Sequence, residues 1–329
     1  MDHLRFGIIG TNFVTDWVIT GGRQDERFEL AAVYSRTQET AEAFAVKHGI
    51  PNTFTSLEAM VACPHIDAVY IASPNSFHAS QSILCMEHGK HVLCEKAFAS
   101  NAREVREMLD AARRNNVTLM EAMKSTLTPN FLAARDALSK IGAIRRYFSC
   151  YCQYSSRYDK FREGVVLNAF RLELSNGALP DIGIYTIYPM VVLFGPPHTI
   201  KATGFKLCSG VDGEGSVIFG YPEMDAAVLY SKITNSSLPT EIHGEDGNIV
   251  LDRINIISDV NLHFRDGREE CLTRRTKHEY YYEIKEFIDL VQSGRQESYI
   301  NSWENSLTTM EIMDDIRQQV GVVYPADAK

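Results

Sequence analysis

Residues 1–120 alternate short, continuously apolar runs with helical stretches, and this alternation constrains the fold more than any other feature. Residues 4–9, 28–34, 68–72, 91–94 and 117–120 read as strands. Helices are expected over 13–20, 37–48, up to His88, and over 103–115. Strands without polar alternation bury both faces, which is the pattern of a doubly wound parallel sheet covered by helices. From Gly142 to about Cys271 the texture changes to short strands separated by turn signals such as Asp212-Gly213, Asp246-Gly247 and Asp266-Gly267. Residues 226–233 alternate as a half-buried strand, and 241–244 with 248–251 read as a hairpin. Two helices close the chain. Tyr281, Ile284, Phe287, Ile288 and Val291 share one face, and Trp303, Leu307, Met310, Met313, Ile316 and Val320 another, both read as core packing. An α/β domain followed by an α+β domain with a mostly antiparallel sheet is expected.

The 329 residues carry 33 Lys+Arg against 42 Asp+Glu, a net charge of -9 that argues against nucleic acid as the main partner. No apolar run approaches the roughly 18 residues of a membrane span, so no membrane role is expected. The start, from Met1, lacks the features of a signal peptide, and a cytoplasmic protein is expected. Seven cysteines are scattered, mostly in apolar segments (Cys85, Cys94, Cys208), without a CxxC pair. Cys150 and Cys152 share a strand face, and all are read as reduced core thiols. The ten His residues are dispersed and suggest no metal.

Gly7-Ile8-Ile9-Gly10-Thr11-Asn12-Phe13-Val14-Thr15 follows the first strand. A dinucleotide fingerprint starting at Gly10 wants glycines at positions 12 and 15, where this chain has Asn12 and Thr15. Asn tolerates positive φ, and N–H groups at a helix start still favour a pyrophosphate, whereas Thr15 is expected to loosen the helix–strand packing. A plain strand–turn–helix reads equally well from this segment alone. At the end of the second strand, Val33-Tyr34-Ser35-Arg36-Thr37 has no acid for a ribose 2′-hydroxyl before Glu39. A hydroxyl and a guanidinium suit a 2′-phosphate, so NADP(H) is favoured over NAD(H).

His91-Val92-Leu93-Cys94-Glu95-Lys96 ends a strand in an acid and a base. Ligands bind at the carboxyl ends of such strands, where Lys96 could exchange a proton with a carbonyl or hydroxyl oxygen. Its pKa would have to fall from about 10.4 toward neutrality. Asp181 and Tyr185, four apart after the Ser175-Asn176-Gly177 turn, share a face if a helix begins near Asp181. That face offers an acceptor and a donor to a polyhydroxylated substrate, although a helix cap and a packed Tyr fit as well.

Taken together, Gly7-Ile8-Ile9-Gly10, Ser73-Pro74-Asn75-Ser76-Phe77-His78, Gly89-Lys90-His91-Val92-Leu93-Cys94-Glu95-Lys96, Glu121-Ala122-Met123, Ser175-Asn176-Gly177-Ala178-Leu179 and Asp181-x-Gly183-x-Tyr185 resemble the Gfo/Idh/MocA oxidoreductases. The likeness is strongest to the dihydrodiol dehydrogenase and glucose–fructose oxidoreductase branch. It implies a Rossmann NAD(P)-binding domain over 1–122. It also implies a substrate domain over 123–329 whose large open sheet serves a homodimer or homotetramer. The implied reaction is NAD(P)-dependent hydride transfer on a carbohydrate-like small molecule. Lys96 is then the catalytic Lys, Tyr185 its partner or proton donor, and Asp181 a binder of substrate hydroxyls. Gly10, Thr11, Asn12 and Phe13 would meet the pyrophosphate, and Ser35 and Arg36 the adenosine ribose. Ser73, Pro74, Asn75 and His78 would line the middle of the cofactor, and Glu95 and Lys96 the nicotinamide side. Arg171 and Lys124 are further substrate-pocket candidates.

The chain departs from the family pattern in two places besides the fingerprint. Ala97 replaces the proline after Lys96, so the frequent cis geometry there cannot be assumed. Lys124 stands where an aromatic is expected, changing one wall of the pocket. Separately, Pro189, inside the expected helix after Tyr185, implies a kink or a late helix start. Two alternatives share the fold: a redox-neutral epimerase or glycosidase using bound cofactor, and a non-catalytic dinucleotide sensor.

Overall fold

The computed structural model describes residues 3–328. Its helices are α1 (Phe13–Gly22), α2 (Gln38–His48), α3 (Leu57–Val61), α4 (Asn75–Glu87), α5 (Ala102–Asn115), α6 (Pro129–Asp136), α7 (Tyr158–Arg162), α8 (Ile184–Phe194), α9 (Glu279–Gln292) and α10 (Trp303–Val320). The strands are β1 (Leu4–Ile9), β2 (Phe28–Tyr34), β3 (Asn52–Phe54), β4 (Ala68–Ile71), β5 (His91–Glu95), β6 (Leu119–Ala122) and β7 (Ile144–Cys152). They continue with β8 (Thr199–Lys206), β9 (Asp212–Gly220), β10 (Asp225–Ser231), β11 (Thr240–Gly244), β12 (Gly247–Leu251), β13 (Val260–Phe264) and β14 (Glu269–Cys271). The chain divides into two compact units. Met1–Lys124 and Lys277–Ser306 form the first; Ser125–Thr276 and Leu307–Lys329 form the second.

In the first unit six parallel strands run in the order β3-β2-β1-β4-β5-β6. The order reverses between β1 and β4, and a crevice opens at the carboxyl ends of these strands. Leu4, Phe6 and Ile8 are fully buried, as a strand covered on both faces requires. Two elements escaped the sequence reading because each is too short to show a period: β3 and α3. The last strand begins two residues later than expected, because the Val117 N–H closes α5 by donating to Ala112.

α9 belongs to this unit, which a division at residue 122 leaves out. The Phe287 ring lies 5.8 Å from that of Phe6, and Arg27 pairs with Asp289 at 2.7 Å. Tyr280 takes the buried place expected of Tyr281, which is only half-buried. A Cβ at Gly21 would lie 2.8 Å from the Tyr280 backbone, so α1 and α9 meet almost backbone to backbone.

The β1–α1 turn is set by the first residue after β4, Ala72. Gly10 has φ +105, and a Cβ there would sit 2.6 Å from the Ala72 carbonyl oxygen. That same oxygen accepts from Asn12 Nδ2 at 2.8 Å. Asn12 is not in the positive-φ region: it caps α1 at φ -89, its Oδ1 accepting the N–H groups of Val14 and Thr15. Thr15 does not loosen the packing. It is fully buried, and its hydroxyl donates to the Gly10 carbonyl at 3.0 Å.

The second unit carries an eight-stranded sheet in the order β14-β13-β12-β11-β7-β10-β9-β8. All neighbours are antiparallel except β7 and β10. The expected hairpin is β11–β12, pairing His243 with Asn248 and Thr240 with Leu251. One sheet face buries Tyr147, Val217, Phe219, Val228 and Tyr230, and Tyr147 donates to the Thr186 carbonyl of α8 at 3.0 Å. The other face leaves Phe205 and Ile218 more than half exposed.

Two expectations need correction here. Leu172–Phe194 is long and apolar enough to cross a membrane by length and composition, contrary to the sequence reading; 78% of its most apolar window is buried within the protein. Cys208 and Cys271 are exposed, while Cys85, Cys94 and Cys150 are core thiols.

Replacing Gly10 with Ala should cost about 2 kcal/mol or more, from the left-handed φ and the clash with Ala72 together. Chemical denaturation of G10A against the parent reads this directly, and an unchanged midpoint would contradict the geometry of the turn.

Candidate active site

The first unit gathers the expected cofactor residues along the carboxyl ends of its strands. Thr11, Asn12 and Phe13 open α1, with Asn12 and Phe13 exposed. At the end of β2 the Ser35 N–H donates to the Phe54 carbonyl of β3. Arg36 is exposed and has no ion-pair partner among the described residues. After β4, the Ser73 hydroxyl donates to Gln81 at 2.7 Å, Pro74 precedes α4, and Asn75 is buried at its first position. His78, one turn on, is fully buried with its ring between the carbonyls of Ala97 (2.9 Å) and Ser73 (2.8 Å). It ties the loop after β4 to the loop after β5. Burial holds its imidazole below the ordinary value.

β5 delivers Glu95 and Lys96 to the same edge. The Lys96–Ala97 peptide is cis although no proline follows. Lys96 is half-buried, and its neighbours are acids. Glu95 is buried and accepts from the Tyr70 hydroxyl at 2.5 Å. Desolvation raises its carboxyl above the ordinary value, opposed by the Lys96 charge. Glu121, on β6, is fully buried and accepts the Phe98 N–H at 3.0 Å, while its other oxygen has no hydrogen-bond partner among the described residues. Burial pushes it up to about 8.

Sequence reasoning missed a third buried acid, Glu283 of α9. Its side chain is wholly buried, and neither carboxyl oxygen has a hydrogen-bond partner among the described residues. Burial, then the neighbouring Glu95, drives it well above the usual carboxylate range. Only its odd place beside the apolar stripe of Ile284 and Phe287 could have signalled it. Lys124 lies in the same neighbourhood: its ammonium pairs with Glu279 at 3.2 Å and sits 4.5 Å from the Tyr280 ring centroid. A cation thus occupies the position expected to be aromatic, and packs on an aromatic from α9.

In the second unit, the Ser175-Asn176-Gly177 turn admits the Asp212 carboxylate. A Cβ at Gly177 would lie 2.1 Å from Asp212 Oδ1. Asp212 accepts the N–H groups of Ala178 (3.1 Å) and Leu179 (2.7 Å), capping the helical segment that follows. Burial raises Asp212 to about 6. The segment opens with a wide π-type turn over Leu179–Gly183, and regular α-helix runs from Ile184 to Phe194 with Pro189 inside it. Asp181 is part-exposed on that wide turn, whereas Tyr185 is buried in α8 with its ring 5.9 Å from that of Tyr151.

The residue that meets Asp181 is Lys232, which the sequence reading passed over as part of a strand. Lys232 is almost fully buried, pairs with Asp181 Oδ2 at 2.7 Å, donates to the Ala169 carbonyl at 3.3 Å, and lies 5.0 Å from the Phe170 ring centroid. It fixes the Asp181 carboxylate through Oδ2. Arg171 is instead exposed and bonded to Glu173 at 2.7 Å.

These features define a two-unit oxidoreductase scaffold with a dinucleotide-type sheet, and comparison with known proteins agrees. Residues 4–123 match the oxidoreductase family, NAD-binding Rossmann fold, and residues 131–250 match the GFO/IDH/MocA C-terminal domain. The chain belongs to the Gfo/Idh/MocA oxidoreductase family. It is 53% identical to scyllo-inositol 2-dehydrogenase (NADP(+)) of Bacillus subtilis, covering 98% of this chain and 99% of the relative. It is 31% identical to trans-1,2-dihydrobenzene-1,2-diol dehydrogenase of Xenopus tropicalis, over 90% of this chain and 91% of the other. Among solved structures, aldose-aldose oxidoreductase of Caulobacter crescentus superposes with a TM-score of 0.86 at 19% identity, covering 97% and 98% of the two chains.

The buried Glu121 gives a pH-dependent stability of known sign. Its folded value, about 8, lies above the ordinary Glu value, so the folded state holds an extra proton between the two. That stabilisation is full below about pH 4.5 and is lost as pH rises toward 8. E121Q keeps the acceptor for Phe98 and cannot ionise. Its stability relative to the parent should therefore improve between about pH 5 and 8, by a few kcal/mol at most. Urea melts of both proteins across this range provide the measurement; parallel pH curves would contradict the assignment.

Proposed function

We propose that this chain is an NADP(H)-dependent dehydrogenase/reductase of a cyclic polyol or related sugar, acting on a single CH–OH/C=O centre, with scyllo-inositol and its ketone as the first substrates to test. The observation that carries the reading is Lys96, at the carboxyl end of β5 in the sheet order β3-β2-β1-β4-β5-β6. Support comes from near full-length likeness to an NADP-dependent inositol dehydrogenase. The residues of the first unit suit a dinucleotide with a 2′-phosphate. Gly10 is bare where the turn is tightest, α1 starts at the crevice edge, and Arg36 is an exposed guanidinium without an ion-pair partner among the described residues, with no acid at the end of β2. Thr11, Asn12 and Phe13 would hold the pyrophosphate and Ser35 and Arg36 the phosphorylated ribose. Ser73, Pro74, Asn75, His78 and Glu95 would hold the rest.

When bound, NADP(H) supplies or accepts the hydride. Lys96 gives the proton to the substrate oxygen on reduction and takes it on oxidation, with Tyr185 as its partner. The surrounding acids hold the Lys96 ammonium in place. Asp181, oriented by Lys232, accepts hydrogen bonds from neighbouring substrate hydroxyls. The chain works in the cytoplasm as a homodimer or homotetramer formed through its open sheet, on a small carbohydrate-like molecule.

Fluorescence titration with NADPH and NADH side by side should show tighter NADPH binding that weakens selectively in R36A. Equal binding of both would remove the cofactor preference. With scyllo-inositol and NADP+, absorbance of the reduced cofactor should rise, and K96M should lower turnover about 10²–10⁴-fold while NADPH binding persists. Turnover unchanged in K96M would overturn the catalytic assignment. Substrate consumed without net cofactor reduction would favour the redox-neutral alternative. K232M should raise KM for the polyol more than it lowers kcat, because the lysine acts on substrate only through Asp181.

A further inference from the structure

The first unit buries more acid behind Lys96 than proton exchange by that lysine alone requires. Glu283 projects from α9 beside Ile284, is wholly buried, and has no hydrogen-bond partner for either carboxyl oxygen among the described residues. The groups that face Glu283 and its neighbour Glu95 come from several elements. β4 brings Tyr70, whose hydroxyl donates to Glu95 Oε1 at 2.5 Å and which also feels the Glu283 charge. Lys96 follows Glu95 after β5, and Lys124 follows β6. α9 itself adds Tyr280 and Glu279, the latter paired with Lys124 at 3.2 Å. Glu121 of β6 interacts with both Glu95 and Lys96.

The charges do not balance if every group is ionised. Lys124 and Glu279 neutralise one another as an ion pair. Lys96 then stands against Glu95, Glu121 and Glu283, all three buried. Burial favours the neutral form of such acids and drives Glu95 and Glu283 upward, with repulsion from Glu95 adding to the effect at Glu283. The two anions are unequally supported. Glu95 has the Lys96 charge and the Tyr70 hydroxyl, while the cation that reaches Glu283 is Lys124, already paired. Adjacent carboxyls of this kind titrate as one unit, because ionising the first makes the second harder to ionise.

We propose that the Glu95–Glu283 pair is a proton reservoir tied to the redox state of the cofactor. It holds one proton in the free enzyme, releases it when NADP+ binds, and recovers it as hydride transfer neutralises the ring. This inference rests on the cofactor reading above. The oxidised nicotinamide is a cation and the reduced one is not, so only the oxidised form repels a proton from acids on its side of the crevice. The balance closes. Binding of NADP+ to the protonated pair liberates one proton. The substrate C–H bond then breaks with its electron pair going to the nicotinamide, the hydroxyl proton leaves through Lys96, and the pair ends protonated again. Alcohol and NADP+ thus give ketone, NADPH and the one proton already released. Glu283 is a positioning residue in this scheme, since it acts on the reacting atoms only through Glu95 and Lys96.

The test mixes the native full-length protein with NADP+ or NADPH in weakly buffered solution near neutral pH and follows a pH indicator. NADP+ should release about half to one proton per site, and NADPH almost none. As pH rises, affinity for NADP+ relative to NADPH should increase by up to about tenfold per pH unit. Taking the ratio cancels protonation of the 2′-phosphate, which both nucleotides carry. In E283Q, Glu95 has lost its acidic neighbour and is ionised beforehand, so the release should vanish while NADP+ still binds. K96M and E121Q should both keep it. Release that persists in E283Q, or is lost in K96M or E121Q, overturns the proposal. NADP+ binding without proton release in the parent overturns it equally and leaves the cofactor reading standing. If neither nucleotide binds, the cofactor reading fails and this inference with it. Should E283Q not fold, the parent, K96M and E121Q titrations still decide, because release kept in all three is assigned to the remaining acid pair.

Discussion

The Ala72 carbonyl oxygen is the point on which the first unit is assembled. It approaches the bare Cα of Gly10 and accepts the amide of Asn12, so the end of β4 dictates where β1 ends and α1 begins. No larger residue fits at Gly10, and no residue lacking an amide donor could both cap α1 and reach Ala72. The fingerprint glycines missing at positions 12 and 15 are thus replaced by hydrogen bonds. Asn12 and Thr15 secure with polar side chains what bare backbone achieves by close approach, and the crevice at the reversal of strand order survives.

Around Lys96 the core is acidic where a hydrophobic sheet would be cheapest. Glu95, Glu121 and Glu283 are buried within one unit, with Tyr70 bonded to the first and three carboxyl oxygens without hydrogen-bond partners among the described residues. Burying carboxyl groups without full hydrogen bonding costs several kcal/mol unless they keep their protons, which is the direction all three are driven. A fold under selection for stability alone has no use for them. Their concentration behind a half-buried lysine fits a site where the position of protons is the chemistry.

Much of this was legible in the sequence because it depends on local period and local turn chemistry. The strands at 4–9 and 28–34 are found where continuous apolar runs placed them, and the hairpin at Asp246-Gly247 forms where the turn residues dictate. What escaped was either too short, as with β3 and α3, or depended on pairs distant in the chain. Lys232 lies in an apolar, strand-like context, and only the fold brings Asp181 to it. Asp212 reads as a turn residue beside Gly213, yet it caps a helix that starts more than thirty residues earlier. Arg171 stood near Asp181 in sequence and engages Glu173 instead. Proximity along the chain is a poor guide where side chains project from a loop.

The return of residues 277–306 to the first unit has a consequence for how the protein is made. A chain emerging from the ribosome completes β1 to β6 early, but the helix that packs Phe287 against Phe6 is translated only after the whole second sheet. Until then, Phe6 and the bare Gly21 of α1 lack the cover that α9 provides. Neither unit is therefore complete until the end of the chain is made: the first, though begun earliest, waits for α9, and the second for the greater part of α10.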